Sequence, residues 1–354
     1  MRNDGEQLLV VNPGSTSTKV AVFRGEQQIA GETLRHDVEV LRQYTRIWDQ
    51  YQFRLQSVRL WARARVENPD AIVSNGGLFR PMPGGTYAVN DRMLEDARNN
   101  RQGEHAANLG CAIAHQLASE FECRAFVVDP VSVDEFEPLA RYSGHPLMQR
   151  SSLSHALSIH AAAYRAAREL GRSLGDTGLV IAHLGGGISV APVRGGRIVD
   201  VNDAASGGPF SPERTGTLPL QQFITLCFSG SLSEREVRSL VMGKGGLVAY
   251  LGTNSAEVVE ERIGEGDAFA REIYEAMAYQ IAKEIGSMAA VLSGAVDAIV
   301  LTGGLASSST LVPWVTERVR FIAPVLVYPG EDELKALALA AFRVLRAEEK
   351  LLEY

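Results

Sequence analysis

One layout occurs twice in this chain, about 170 residues apart, and it restricts the fold more than any other feature. Residues 8–32 read LLVVNPGSTSTKVAVFRGEQQIAGE and residues 179–203 read LVIAHLGGGISVAPVRGGRIVDVND. Each is an apolar strand, a turn rich in Gly, Ser or Thr, a second strand, an Arg-Gly turn (Arg24-Gly25, Arg194-Gly195) and a third strand. Two copies predict a duplicated domain facing itself across a cleft. Layout alone does not separate this from two unrelated hairpins. The length of 354 residues independently favours two domains, being about twice the usual domain size.

Hydrophobic residues make up 45% and charged residues 22%, so the chain can bury a large core and is not disordered in bulk. With 35 Lys plus Arg against 42 Asp plus Glu, the net charge is −7, which argues against a broad grip on a nucleic-acid backbone. The first apolar run, Leu8 to Val11, is preceded by Asp4 and Glu6 and does not resemble a signal peptide. Met288 to Leu301 is interrupted by Ser293, Gly294 and Asp297, well short of the roughly 18 residues of a membrane span. Cys111, Cys123 and Cys227 have neither disulfide nor metal-ligand spacing. A cytoplasmic protein with buried thiols is expected.

Short β-branched runs alternate with helix-period stretches, the pattern of α/β layering. Strands are predicted at Leu8 to Val11, Ala71 to Val73, Ala125 to Val128, Leu179 to Ala182, Ala298 to Leu301 and Val325 to Val327. Helices are predicted over Leu153 to Leu174, stopped by Gly175, over Asp267 to Ser293, stopped by Gly294, and from about Glu333 to Glu349. In the second, Ile273, Met277, Ile281, Ile285 and Leu292 recur near one face.

Three glycine-bearing turns carry the chemistry. In Asn12-Pro13-Gly14-Ser15-Thr16-Ser17-Thr18-Lys19, a tip with Gly14 can turn N–H groups outward while hydroxyls and one Lys add donors around a polyanion. With the second strand beginning at Ser15, the side chains of Ser15, Ser17 and Lys19 share a face and Val20 and Val22 pack behind it. The blander reading is a solvated turn. His183-Leu184-Gly185-Gly186-Gly187 is sharper, because adjacent glycines between buried strands make sense where another group approaches the main chain, and a phosphate is the obvious one. The strand Ile299 to Leu301 opens into Thr302-Gly303-Gly304, where a flat ring such as adenine could lie; an ordinary strand-to-helix turn would look alike. The Gly185 loop lacks the dinucleotide spacing. Gly243-Lys244-Gly245 has Arg238 where a P-loop needs its first Gly and lacks the Ser or Thr.

Asp129 follows Ala125 to Val128, at the carboxyl end of a buried strand where ligands of α/β sheets sit. It suits magnesium, which takes oxygen ligands, or else starts an Asp-Pro turn. Arg80 and Arg214 lie in Gly/Pro-rich loops, where a guanidinium fork fits a carboxylate or phosphoryl group, although most loop arginines point at water.

Taken in order, these segments resemble the acetate and propionate kinase family, and within it the butyrate kinases, in the superfamily of sugar kinases, heat-shock chaperone ATPases and actin. The resemblance runs end to end and is carried by NPGSTSTKVAVF (12–23), GGTY (84–87), QGEHAANLG (102–110), AHLGGGISV (182–190), GPFSPERTG (208–216), GKGGLVAYLGTN (243–254), YEAMAYQIAKEIG (274–286), LTGGLA (301–306) and YPGEDELKALALAA (328–341). Ser74 and Asn75 precede Gly76 where the family often has Arg or Gly, which bears on the shape of the acyl pocket.

The resemblance implies an α/β fold of two duplicated ribonuclease-H-like, actin-like ATPase domains with a nucleotide cleft between them: 1–150 with a returning helix at 335–354, and 151–334. It implies the reaction butanoate + ATP = butanoyl phosphate + ADP, with branched-chain carboxylates as the alternative acceptor and an ATP-gated chaperone-like module or a sugar kinase as remoter readings. Asn12, Gly14, Ser15, Ser17 and Lys19 would form the first phosphate loop, His183 with Gly185, Gly186 and Gly187 the second, and Gly303 and Gly304 would face adenosine. Arg80 and Arg214 resemble the substrate and transition-state arginines, and His155 the histidine near the transferred phosphoryl. Asp129 and Glu333 resemble the carboxylates that serve Mg²⁺, with Glu331 close to the latter position. The implied partners are a small carboxylate and a second copy of the chain in a homodimer or larger assembly, the long Asp267 to Ser293 helix pairing subunits, with no nucleic acid and no membrane.

Overall fold

The computed structural model describes residues 5–330 and 332–354; Glu331 lies outside them. The chain divides into two compact units, residues 1–134 with 332–354 and residues 135–331, so residues 135–150 go with the second unit where the sequence reading drew its line at 150.

The first unit is built on a six-stranded sheet: β1 (Gln7–Pro13), β2 (Ser17–Arg24), β3 (Gln27–Arg35), β4 (Ala71–Ser74), β5 (Thr86–Ala88) and β6 (Arg124–Val128), in spatial order β3-β2-β1-β4-β6-β5. The first three strands form an antiparallel meander, and β4 and β6 add to β1 in parallel. Leu9, Val11, Val20, Val22 and Ile72 project to one face, where Leu55, Val58, Leu109 and Ile113 from helices Tyr51–Arg63 and Asn108–Glu120 bury them. Leu8, Val10 and Val73, at alternate positions, point the other way. Helix Glu333–Leu345 packs on β1, β2, β4 and β6.

The second unit repeats that order: β7 (Gly178–Leu184), β8 (Ile188–Arg194), β9 (Arg197–Ile198), β10 (Ala298–Gly303) and β11 (Val325–Pro329) are arranged β9-β8-β7-β10-β11. Again the first three are antiparallel and the last two join β7 in parallel. The repeated layout in the sequence is therefore a repeated topology. All six strands read from the sequence fall inside observed strands.

Three boundaries differ. The strand after the first turn starts at Ser17, not Ser15, so Ser15 sits in the turn while Ser17 and Lys19 keep their common face. The helix expected over Leu153 to Leu174 spans Ala156–Glu169, because His155 is non-helical at its start, at φ −83° and ψ 60°, and Gly171, at φ 65°, ends it before Gly175. The last helix stops at Leu345, followed by the left-handed Ala347.

Helix Ala268–Val291 is capped by the Asp267 side chain, which accepts from the N–H of Ala270. One face is exposed, with Phe269 and Tyr279 about half accessible, and the other is buried. Ile273, Met277, Ile281 and Ile285 are buried in the core of their own unit against Val180, Ala182, Ile188 and Val190 of the sheet. Among the described residues no helix is long and apolar enough to cross a membrane, and the three cysteines are unpaired.

Candidate active site

In the first unit, the β1–β2 turn is closed by a hydrogen bond from Gly14 N to Ser17 O of 2.8 Å, so the Gly14 N–H points into the turn. Ser15 and Thr16 form the exposed tip. Asn12 and Lys19 are register partners on β1 and β2, and both reach Glu333 Oε2, Asn12 Nδ2 at 2.8 Å and Lys19 Nζ at 3.3 Å. Glu333 occupies the first turn of its helix, where the positive end of the helix dipole favours a carboxylate.

Asp129 follows β6 directly and is buried, with φ 38°, a conformation that Asp tolerates better than most residues. Its Oδ1 accepts from Gly85 N at 2.7 Å, and its own N–H donates to Gly85 O at 3.1 Å. The carboxylate thus anchors the loop Gly84 to Tyr87. Asp129 and Glu333 fit magnesium in kind, since that ion takes one or two carboxylates and fills its shell with phosphate oxygens and water. A richer cluster of three His, Cys, Asp or Glu is absent among the described residues.

Arg80 does not point freely at water. Its Nε and Nη2 donate to Asp96 Oδ2 and Oδ1 at 2.7 and 3.2 Å, a bidentate pair that holds the Asp96 carboxyl below the usual range. Tyr354 Oη donates to the same Asp96 Oδ2 at 2.7 Å and accepts from the Arg80 N–H at 3.0 Å, so side chain and backbone of Arg80 are fixed by one pair of residues. The loop below is fastened by Asn108 Oδ1, which accepts from Leu78 N, and by Ser132 Oγ, which accepts from Phe79 N.

In the second unit, His183 on β7 is the register partner of Ser189 on β8. His155 lies against both: its ring stacks on His183 with centroids 4.3 Å apart, and its Nδ1 meets Ser189 Oγ at 2.9 Å. Burial, then the charges of His183 and Arg214, push His155 down to about 3, and burial alone pushes His183 down to about 4. Both imidazoles are neutral at pH 7.

The glycine loop between those strands holds Arg214. A Cβ on Gly187 would overlap the Arg214 guanidinium, which donates to Ala204 O. Ser211 ties the two segments together, its Oγ donating to Gly186 O at 2.6 Å and accepting from Arg214 N at 3.2 Å. The guanidinium lying on its backbone is thus one reason that Gly187 is glycine.

The two glycines at the end of β10 part company. Gly303, at φ 93°, would drive a Cβ into the Leu184 backbone, so packing alone explains it, whereas a Cβ on Gly304 would meet open space. Space beside Gly304 is therefore open to a ligand. Ser308, just beyond, is locked by Glu260 and Tyr274, with Tyr274 Oη donating to Glu260 Oε1 at 3.0 Å.

The structure brings together Asn12, Lys19 and Glu333 in one unit, and His155, His183, Gly187 and Arg214 in the other. Sequence reasoning missed Asp96, Tyr354, Ser189, Ser211 and Arg54. The last donates to the carbonyls of Gly14, Ser15 and Ser17 from beneath the β1–β2 turn.

Residues 147–322 match the acetokinase family. The matched segment is just under half of the chain, lies within the second unit, and contains His155, the glycine loop, Arg214 and Gly303-Gly304. Among solved structures the chain is similar to acetate kinase from Porphyromonas gingivalis, at 17% identity and TM-score 0.80, covering 96% of this chain and 100% of that one. It is similar to propionate kinase from Francisella tularensis at 16% identity and TM-score 0.74, covering 95% and 98%. A ROK hexokinase from Thermus thermophilus matches at 14% identity and TM-score 0.51, covering 96% and 99%. At these identities the likeness is one of fold, that of the acetate kinase and ROK-type kinases.

Proposed function

We propose that this protein is a carboxylate kinase that transfers the γ-phosphoryl group of ATP to a short-chain acid, with butanoate as the acceptor and butanoyl phosphate and ADP as products. The observation that carries the reading is the lodging of Arg214 against the glycine loop in the segment that matches the acetokinase family. A phosphoryl-transfer site has chiefly to position its reactants and neutralise charge. A fixed guanidinium beside a glycine-lined loop offers both.

The acceptor is ionised at pH 7, so attack on the γ-phosphorus needs no general base. The strongly depressed histidines agree with this: His155 and His183, neutral and weakly basic, serve as hydrogen-bonding groups and not as proton acceptors. Arg80, presented by Asp96 and Tyr354, is the group proposed to receive the substrate carboxylate. Asp129 and Glu333 would hold magnesium, which supplies charge neutralisation at the phosphates when bound. A sugar kinase would need a base for its hydroxyl acceptor, and the weaker match to the hexokinase also speaks against it.

The test is a coupled assay of ADP formation with butyrate, isobutyrate, propionate, acetate and glucose, and with no acceptor. Turnover that depends on a carboxylate supports the proposal, and the order of kcat/KM among the acids assigns the acyl chain. Glucose-dependent turnover, or hydrolysis indifferent to acceptor, rejects it. We also propose a homodimer or larger assembly, supported by Leu220 of helix Leu220–Cys227 and Phe228 at its C-terminal cap, which stand exposed at 71% and 86%. A monomeric mass by light scattering at micromolar concentration rejects that part.

A further inference from the structure

Arg54, on helix Tyr51–Arg63, is among the largest fully buried side chains of the protein, at 0% exposure. Burial lowers its pKa only to about 10, so it is charged at neutral pH. Burying an ion without a counter-charge is costly. Yet among the described residues no carboxylate pairs with it.

Its partners are all neutral acceptors. Gln50 Oε1 accepts from Nε at 3.0 Å and from Nη2 at 2.9 Å. Gly14 O and Ser15 O accept at 2.7 Å each and Ser17 O at 3.1 Å. The nearby His36, which meets Thr18 Oγ1 at 2.9 Å, is neutral as well, pushed down to about 4 by burial and by Arg54. The one remaining carbonyl of the turn, Thr16 O, accepts from His36 N at 2.9 Å. Every carbonyl from Gly14 to Ser17 is therefore turned inward. Ser15 and Thr16 are exposed, and their N–H groups make no hydrogen bond among the described residues. Successive N–H groups left outward in this way form an anion-binding concavity.

We propose that Arg54 is a positioning residue for phosphate binding: it gathers the carbonyls of the Gly14 to Ser17 turn, so that the N–H groups of Ser15 and Thr16 face an anionic phosphate, and its uncompensated charge attracts that phosphate through the turn. The inference rests on the reading of this turn as a phosphate cradle. Gln50 is the informative neighbour. A Glu of the same shape there would satisfy the same donors and neutralise the charge; the neutral amide leaves the field available to a ligand.

The test uses the full-length protein and MgATP, with binding measured by calorimetry and KM measured separately for MgATP and butyrate. Gln50→Glu is expected to weaken MgATP binding by about tenfold, from a Coulomb interaction across the turn at an effective dielectric near 20. The butyrate KM should stay within about twofold of wild type, and the melting temperature should be unchanged or higher, because a buried ion pair has replaced a buried single charge. A purely structural role predicts no loss of MgATP affinity in that variant, and this result overturns the proposal. Should Gln50→Glu fail to fold, Arg54→Lys is compared with Arg54→Met. Tighter MgATP binding by the lysine variant supports the inference, and equal binding rejects it. Wild-type protein that binds MgATP but phosphorylates no carboxylate would refute the proposed reaction and leave the role of Arg54 standing.

Discussion

The guanidinium of Arg214 occupies the space that a side chain on Gly187 would need. Gly187→Ala must therefore displace Arg214 or the loop itself. Removing Arg214 as Arg214→Ala should cut turnover by about 10³-fold or more, on the scale of arginines that stabilise phosphoryl transfer. Gly187→Ala, which moves the same group by a fraction of its length, should cost roughly tenfold or more in kcat. Gly286 is the control, since it lies within helix Ala268–Val291 and a Cβ there meets nothing within 4 Å. Gly286→Ala should keep wild-type kcat and gain about 0.5–1 kcal/mol in stability. Equal kcat in the Gly187 and Gly286 variants would separate Arg214 from the chemistry.

The histidines predict a pH signature in stability. His36, His155 and His183 are pushed down to about 4, 3 and 4, chiefly by burial. In the unfolded chain each titrates near 6.5. Between those values the unfolded state binds more protons, so stability is complete above about pH 6.5 and falls as the pH drops toward 4. The slope approaches about 1.4 kcal/mol per pH unit for each histidine. Urea midpoints at pH 7, 6 and 5 measure it, and His155→Gln should flatten the curve. The same shifts predict a kcat that shows no histidine titration from about pH 5.5 to 8; a step near 6.5 in kcat, lost in the His155 variant, would contradict neutral imidazoles.

The strands were legible because buried runs such as Leu8 to Val11 and Leu179 to Ala182 admit little else, and the repeated Arg-Gly turns exposed the duplication. Helix ends were less so: Gly171 stopped a helix that Gly175 had been expected to stop, both being equally plausible glycines. For the site, residue type and loop placement were enough to single out Arg80, Asp129 and Arg214, but not their partners. Asp96 reads as one more acid on an exposed helix until Arg80 arrives from another loop. Arg54 carried a faint signal, since it falls in the apolar stripe of Leu55, Val58, Trp61 and Ala62, where an arginine is out of place. Gly303 could not be resolved from sequence, because a strand packing on Leu184 and a ring approaching the backbone demand the same residue.

Tyr354 and Asp96 provide a test of the proposed role of Arg80 at the acceptor carboxylate. Tyr354→Phe keeps the ring against Phe79, 5.5 Å away, and removes only the hydroxyl that joins Asp96 to the Arg80 N–H. The loss of hydrogen bonds to charged groups should raise the butyrate KM by about tenfold and leave the MgATP KM unchanged. Asp96→Asn should act in the same direction, and the double variant should be less impaired than the two effects combined, because both act through one guanidinium. Additive effects, or a change in the MgATP KM alone, would detach this network from the acceptor.

Asp129 allows charge to be separated from shape. Its backbone lies at φ 38°, which Asn also adopts, and its Oδ1 accepts from Gly85 N, a bond that an amide oxygen can replace. Asp129→Asn should thus fold normally and keep the loop Gly84 to Tyr87 in place. What it loses is the negative charge, which suits magnesium and also faces Arg343, so the Mg²⁺ concentration needed for half-maximal activity should rise by about tenfold or more while the melting temperature falls only slightly. Asp129→Ala, forced into a left-handed backbone without the Gly85 bond, should lose roughly 1–3 kcal/mol of stability as well. An unshifted Mg²⁺ dependence in a well-folded Asp129→Asn protein would mean that this carboxylate serves the Gly85 loop and the charge of Arg343, and the metal would then have to be assigned to Glu333.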